Sequence, residues 1–250
     1  MAEPLLRAID LVKAFGGLMA TDHLSLDVGE GEVHALIGPN GAGKTTIVGQ
    51  LVGELRPDSG RIEFAGEDLG ALSPPARLLR GLARTFQISQ LLLDDTAADN
   101  VALAVQARAG HSFRFWRDAR ADPRLRDEAR RHLVDVGLGA VADRRAADLS
   151  HGQHKQLELA VALASRPRLL LLDEPMAGLG PTETQAMIGL LAGLKGRVTM
   201  LLIEHDMEAV FALADLVTVL ASGRLIASGP PARIRDDPLV RDAYLGDGDA

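Results

Sequence analysis

The octapeptide GPNGAGKT at residues 38–45 constrains the fold of this chain more than any other feature. It follows a short apolar run, residues 32–37, that suits a buried strand. After it, apolar residues recur at helical spacing until the PDSG turn at residues 57–60. Strand, glycine-rich loop and helix form the context in which backbone N–H groups cradle phosphate oxygens. We therefore predict that the loop binds a nucleotide triphosphate.

The loop residues have separate chemical tasks. Glycines let the backbone curl around the phosphates, and the helix N-terminus adds a positive dipole end. Lys44 is expected to reach the β- and γ-phosphates, and the Thr45 hydroxyl to ligate Mg²⁺. The predicted nucleotide-binding residues of this segment are Gly38, Pro39, Asn40, Gly41, Ala42, Gly43, Lys44, Thr45 and Thr46.

A second motif places two carboxylates after four consecutive leucines, residues 169–172. Asp173 and Glu174 would then lie at the carboxyl end of a buried strand, where ligands sit in open α/β sheets. We expect Asp173 to hold Mg²⁺ through water and Glu174 to polarise the attacking water as general base. The alternative is a buried strand that ends in two incidental acids.

The pattern along the chain predicts one α/β unit with an insertion. Residues 5–12, 24–28 and 61–64 read as strands of an antiparallel sheet beside the loop. Residues 97–164 are rich in alanine, leucine and arginine at helical spacing, which indicates a helical lobe. Apolar runs at residues 169–172, 198–203 and 216–220, separated by helical segments, predict a parallel, doubly wound sheet.

Composition excludes several function classes. The formal net charge is −7 without a long basic block, so nucleic acid is not an expected partner. The chain has no cysteine, which excludes disulfides and thiolate metal sites. Neither a secretory signal nor an apolar stretch of membrane-spanning length is found. We expect a soluble cytosolic chain.

A capping box at Ser150 and Gln153 opens a further helix and lies inside the pentapeptide LSHGQ, residues 149–153. Together with Gln87 in RTFQ and His205 in IEHD, the order and spacing of the motifs resemble the ATP-binding subunit of an ABC transporter over nearly the whole chain. That resemblance implies an α/β fold with a P-loop NTPase (RecA-like) core and parallel sheet, an N-terminal antiparallel β subdomain and an inserted α-helical subdomain.

The resemblance also implies a division of the single nucleotide-binding domain, residues 1–250. The core would comprise residues 1–96 and 166–235, the helical subdomain residues 97–165 and the C-terminal tail residues 236–250.

Family members pair two cassettes head to tail, with ATP between the phosphate loop of one and the LSHGQ signature of the other. Ser150, Gly152 and Gln153 are thus expected to contact ATP bound by the second subunit, identical or paralogous. Gln87 would approach Mg²⁺ and the attacking water, and His205 would hold the γ-phosphate and Glu174. Phe15 matches the aromatic residue that stacks on adenine.

Two positions depart from the family pattern. His151 replaces a glycine of the signature, and we expect its side chain to point away from the phosphate, so that activity is retained. Gly180 ends the segment of residues 177–180 where Asp or Asn is usual, which removes a hydrogen-bonding side chain across the dimer. This loss puts coupling between the two ATP sites in doubt, though not ATP binding.

Three segments resemble the ATPase of branched-chain amino acid importers: the opening at residues 13–28, an aromatic insertion with Phe113, Phe115 and Trp116, and the tail at residues 237–246. The implied partners are integral-membrane permeases and, indirectly, a solute-binding protein, with the chain peripheral on the inner face of the cell membrane. Urea or amide import, lipopolysaccharide export and a non-transport ABC ATPase are the alternatives.

Overall fold

Two sheets organise the part of the chain that this computed structural model describes, residues 3–85, 91–109 and 122–245. The strands in chain order are β1 (Leu6–Phe15), β2 (Leu18–Val28), β3 (Val33–Ile37), β4 (Ser59–Phe64), β5 (Glu67–Asp68), β6 (Leu82–Arg84), β7 (Leu169–Asp173), β8 (Thr199–Ile203), β9 (Leu216–Ala221) and β10 (Arg224–Gly229). The helices are α1 (Lys44–Val52), α2 (Pro74–Leu79), α3 (Ala97–Arg108), α4 (Pro123–Asp135), α5 (His151–Ala164), α6 (Pro181–Ala192), α7 (Met207–Leu213), α8 (Pro231–Arg235) and α9 (Pro238–Leu245).

The N-terminal sheet has the order β2-β1-β4-β5 with antiparallel neighbours, as predicted. Its first hairpin is longer than expected, since β1 continues to Phe15 and β2 starts at Leu18. Apart from Thr21, which is buried, the extra residues are half-buried or exposed. They therefore lack the apolar alternation that marks a strand in sequence.

The central sheet has the order β10-β9-β3-β8-β7-β6. The five strands from β9 to β6 are mutually parallel, which confirms the predicted parallel sheet, but β10 pairs antiparallel with β9 at the edge. The sequence prediction missed β10 because it has neither a continuous apolar run nor a regular alternation, with Arg224, Leu225 and Ser228 exposed, and β6 because it has only three residues.

Both faces of the central sheet are covered, which explains the unbroken apolar runs of its middle strands. Leu170 and Leu172 of β7 pack with the buried residues of α3, α5 and α6. Leu169 and Leu171, which point to the other face, pack with α1 and the N-terminal sheet.

The helices α3, α4 and α5 lie in the chain between β6 and β7 and pack on one another. Val101, Leu133 and Leu157, one from each helix, are fully buried in a shared cluster. This arrangement agrees with an inserted helical lobe. The exact boundaries of that lobe, and of the core and tail, stay a prediction.

Arg77 of α2 holds the carboxyl end of α1. Its guanidinium is buried and donates to the carbonyl oxygens of Gln50 and Leu51 at 2.8 and 2.6 Å, and to those of Leu69 and Leu72 at 2.8 and 3.2 Å. The last carbonyls of a helix lack partners within the helix. Arg77 supplies these partners to α1.

We expect Arg77→Met to lower the free energy of unfolding by roughly 3 kcal/mol, because four carbonyl oxygens would lose the buried guanidinium donor, although those of Gln50 and Leu69 also accept from a backbone N–H. Urea denaturation followed by circular dichroism measures this loss. Arg80→Met is the control, since exposed Arg80 pairs with exposed Glu67 and such pairs contribute little. Equal losses in the two variants would contradict the assignment.

Candidate functional site

The phosphate loop connects β3 to α1, and two glycines have backbone positions that no other residue fits. Gly43, with φ +104°, is the N-cap of α1, and a Cβ there would collide with the carbonyl oxygen of Ala20. A Cβ on Gly38 would collide with the carbonyl oxygen of Leu220. The loop is thus held tightly between β2 and β9, with its N–H groups at the start of α1.

Lys44 begins α1 and lies half-buried in the loop. Its ammonium donates to the carbonyl oxygens of Gly38 and Pro39, at 2.5 and 2.9 Å. Burial lowers the pKa of Lys44, and the nearby negative charge of Glu174 partly opposes this shift. The cation is therefore positioned at the mouth of the loop and within electrostatic reach of the predicted base.

The other loop residues surround this cation. Ala42 is buried, Pro39 and Thr46 are half-buried, and Asn40 and Thr45 are exposed. Thr45 and Thr46 occupy the first turn of α1. The Thr45 hydroxyl is thus accessible at the positive end of the helix, where its predicted role requires it.

Asp173 ends β7 and is buried, but the structure gives it a partner that the sequence did not indicate. Arg84 of β6 donates from Nη2 to Asp173 Oδ2 at 2.7 Å, and from Nη1 to Glu54 Oε2 at 2.8 Å. The backbone N–H of Asp173 faces the Thr85 hydroxyl at 3.4 Å. Arg84 therefore offsets the cost of burying the Asp173 carboxylate and fixes its orientation.

Glu174 and His205 come together although 31 positions separate them in the chain. His205 Nδ1 lies 3.8 Å from Glu174 Oε1. Glu174 has φ +48°, and its N–H donates to the Ile203 carbonyl at 2.9 Å. A non-glycine residue in this left-handed conformation is strained, and such strain concentrates at functional sites. The predicted base, Glu174, and the histidine expected to hold it, His205, are thus neighbours.

Glu204, the residue before His205, is fully buried between the same loops. Its carboxylate accepts hydrogen bonds from the backbone N–H groups of Met176, His205 and Asp206. Burial raises the pKa of Glu204, while these hydrogen bonds oppose the shift. Glu204 joins the segment after Glu174 to the segment that contains His205.

The LSHGQ signature starts α5 with the capping box predicted from sequence. Ser150 Oγ accepts from the Gln153 N–H, and Gln153 Oε1 accepts from the Ser150 N–H. The signature contacts the segment of residues 177–180: His151 Nε2 lies 3.3 Å from the Ala177 carbonyl oxygen. A Cβ on Gly152 would lie 2.5 Å from Glu183 Oε1, so this glycine allows close packing on α6.

Phe15 lies within the described residues, where its exposure can be examined. Phe15 ends β1 with 47% of its surface exposed, and Lys13 Nζ lies 5.6 Å from its ring centroid. An exposed ring can stack on a base. Gln87 and the aromatic cluster of Phe113, Phe115 and Trp116 lie outside the described residues.

The oxygen donors near the loop fit Mg²⁺. Within the described ranges, no group of three or more His, Cys, Asp or Glu side chains could hold a metal by itself. Mg²⁺ commonly uses one or two protein oxygens and takes the rest from phosphates and water. The Thr45 hydroxyl and the Asp173 oxygen that Arg84 does not bind match this requirement.

Comparison with known proteins identifies the class. A family model described as ABC transporter matches residues 21–177, more than half of the 250 residues. The fold also matches a solved ATP-binding cassette of an ABC transporter, MJ1267 in its ADP conformation, with a TM-score of 0.87 and 30% identity over 98% of this chain and 100% of that one. The chain belongs to the ABC transporter family, whose cassettes hydrolyse ATP, and it is an ATPase.

Its branch is that of the branched-chain amino acid cassettes, as predicted: a model described as branched-chain amino acid ATP-binding cassette transporter matches residues 224–250. The chain is 39% identical to the high-affinity branched-chain amino acid transport ATP-binding protein BraF of Pseudomonas aeruginosa, over 99% of this chain and 100% of the relative. It is 38% identical to the high-affinity branched-chain amino acid transport ATP-binding protein LivG of Escherichia coli, over 99% of this chain and 100% of the relative. It is 34% identical to the lipopolysaccharide export system ATP-binding protein LptB of Acidithiobacillus ferridurans, over 97% of each chain.

Gly43→Ala tests whether the loop is the phosphate site. A left-handed alanine costs about 1–2 kcal/mol, and we expect the loop to relax to a shape that ATP binding must reverse. ATP affinity, measured with a fluorescent ATP analogue, should fall by roughly tenfold or more. Gly189→Ala is the control, because Gly189 lies in α6 with nothing near its Cβ position. Unchanged affinity in Gly43→Ala would place the phosphates elsewhere.

Proposed function

We propose that this chain powers the uptake of branched-chain amino acids, or related small solutes, through membrane permeases. The observation that carries the proposal is the convergence of Lys44, Asp173, Glu174 and His205 at one edge of the sheet. The C-terminal match to the branched-chain amino acid cassettes supports the solute class. The site handles ATP only, so the solute is selected by the partners.

In the proposed reaction the phosphate loop and Lys44 bind the β- and γ-phosphates, and Phe15 stacks on the adenine. Glu174 takes the proton of the attacking water, and His205 orients Glu174 and the γ-phosphate. Thr45, Asp173 and Gln87 would hold Mg²⁺, which would supply positive charge to neutralise the phosphates. The short distance between His205 and Glu174 supports this pairing of roles.

We further propose that the site is completed by a second cassette. Ser150 is exposed and caps α5, and buried Gly152 and half-buried Gln153 lie in the first turn of that helix, whose N-terminal N–H groups favour an anion. The His151 ring lies beside Ala177 of the same chain, which agrees with a side chain directed away from the phosphate. The partner is an identical chain or a paralogue.

The permease contact is proposed to be an apolar groove of about 680 Å³ between α2, α3 and α5. Its lining includes Leu78, Leu79, Ala104 and Val161, together with Leu91, which follows the segment of Gln87. Leu79 is 73% exposed. Such a groove suits the apolar face of a short helix.

The remaining parts of the proposal concern location and alternatives. None of the helices in the described part of the chain has the length and apolar content of a membrane span. We place the chain on the inner face of the cell membrane through its permeases, with a solute-binding protein as an indirect partner and no nucleic acid.

Lipopolysaccharide export is the second candidate, which the LptB relationship favours; the C-terminal match favours import.

Glu174→Gln tests the assignment of the base. The amide cannot accept the proton, so we expect kcat for ATP to fall at least about 100-fold while ATP affinity is retained. Phosphate release measures kcat, and size-exclusion chromatography with ATP should show a trapped dimer. Glu67→Gln, at an exposed carboxylate paired with Arg80, should behave like the unchanged chain. Hydrolysis at the normal rate by Glu174→Gln would remove Glu174 from this role.

Leu79→Asp tests the groove. The side chain is exposed, so we expect normal folding and normal ATP hydrolysis but loss of co-purification with the permeases from native membranes. Val134→Asp is the matched control, because Val134 is 65% exposed outside this groove. Recovery of Leu79→Asp with the permeases at the unchanged level would exclude this surface. Recovery of the unchanged chain only in ribosomal or DNA-bound fractions would reject the transport role.

A further inference from the structure

The buried carboxylate of Glu204 accepts hydrogen bonds from backbone N–H groups, and the His205 ring lies beside it, with Nδ1 3.9 Å from Oε2. Glu204 follows β8 directly and is 1% exposed. Oε1 accepts from the Met176 N–H at 2.8 Å, and Oε2 accepts from the N–H groups of His205 and Asp206 at 3.0 and 3.3 Å. A single carboxylate thus joins the loop after β7 to the loop after β8.

The two loops that Glu204 joins contain the residues proposed to carry the hydrolysis step. Met176 follows Glu174 by two residues, and His205 is bound through its own N–H. A second link, from the Glu174 N–H to the Ile203 carbonyl oxygen, lies beside the first. These links fix the backbones from which the Glu174 and His205 side chains extend toward each other.

A buried carboxylate is a costly way to join two loops. Its desolvation is offset only when its oxygens accept enough hydrogen bonds, and three backbone donors supply them here. A neutral residue of similar size could fill the space without that cost. A glutamine, however, would present its acceptor oxygen to the donors of one loop and its NH₂ group to the donors of the other, because the two loops bind different oxygens of Glu204.

We propose that Glu204 is a positioning residue for ATP hydrolysis, which sets the separation of the Glu174 carboxylate and the His205 ring by binding the backbone of both loops. The inference rests on the proposed roles of Glu174 and His205. It extends them by naming the group that holds the pair, although Glu204 itself does not contact the reacting atoms.

Glu204→Gln is the main test. The amide oxygen can serve one loop, while the NH₂ group faces the N–H donors of the other. We expect kcat to fall on the order of 10- to 100-fold, because small displacements of catalytic groups have effects of this size. ATP affinity should stay unchanged, since the phosphate loop is not altered. Single-turnover hydrolysis with excess protein measures the slow rate.

Asp215→Asn is the matched control. Asp215 also accepts a backbone hydrogen bond in this sheet, from the Val33 N–H at 2.9 Å, but at the opposite end of the strands. Thermal unfolding of both variants separates stability from rate. We expect Asp215→Asn to lose stability without losing kcat. An equal loss of kcat in the control would overturn the proposal, as would a normal kcat in Glu204→Gln or a loss of ATP affinity as large as the loss of rate.

Two further variants separate an effect on positioning from a failure to fold. Glu204→Asp keeps the charge but is one methylene shorter, so its carboxylate can bind the His205 N–H and not the Met176 N–H. This variant decides the question if Glu204→Gln fails to fold. A normal kcat in Glu204→Asp then overturns the proposal, and a reduced kcat with intact ATP binding supports it. In a His205→Ala background the effect of Glu204→Gln on kcat should shrink, because the two act together; full additivity would overturn the proposal.

A normal rate in Glu204→Gln beside an inactive Glu174→Gln would reject this inference alone, whereas a normal rate in Glu174→Gln would reject the proposed function.

Discussion

The parallel register of β3, β7 and β8 is the constraint on which the site depends. Leu36 pairs with Ile203 of β8, and Asp173 of β7 pairs with the same residue from the other side. The three strands are buried along their whole length, so only their ends are free to carry function. Because parallel strands end at one edge, the phosphate loop, the two acids and the histidine meet there.

The sequence predicted the features that depend on nearby residues. Continuous apolar runs marked the buried strands, and the capping box of Ser150 and Gln153 was visible because its partners are three residues apart. The ion pair of Arg84 with Asp173 was not visible, since 89 positions separate them. Glu204 is the second residue of a recognised motif, IEHD, and that position was the available signal. Its hydrogen bond to Met176 still depends on the pairing of the strands. The role of Gln87 stays a prediction from motif order.

The two departures from the family pattern, His151 and Gly180, lie in segments that are close to each other and to Glu183 in the structure. A Cβ at Gly152 would meet the end of the Glu183 side chain, which would have to shift, whereas the preceding position accepts the His151 ring beside Ala177. Gly180 caps α6, and its N–H donates to Glu183 at 3.1 Å. Glu183 therefore lies between the signature and the segment of residues 177–180. Within one cassette these two regions are packed together rather than independent.

The short helix α2 faces two environments at once. Arg77 points inward and binds the last carbonyls of α1, whose own last turn has no basic residue, while Leu79 points outward into the groove. The guanidinium supplies positive charge at the negative end of the α1 dipole. A partner bound to Leu79 would therefore contact α2, the helix that binds the carboxyl end of α1. Six residues of α2 thus link the proposed membrane contact to α1, the helix that follows the phosphate loop.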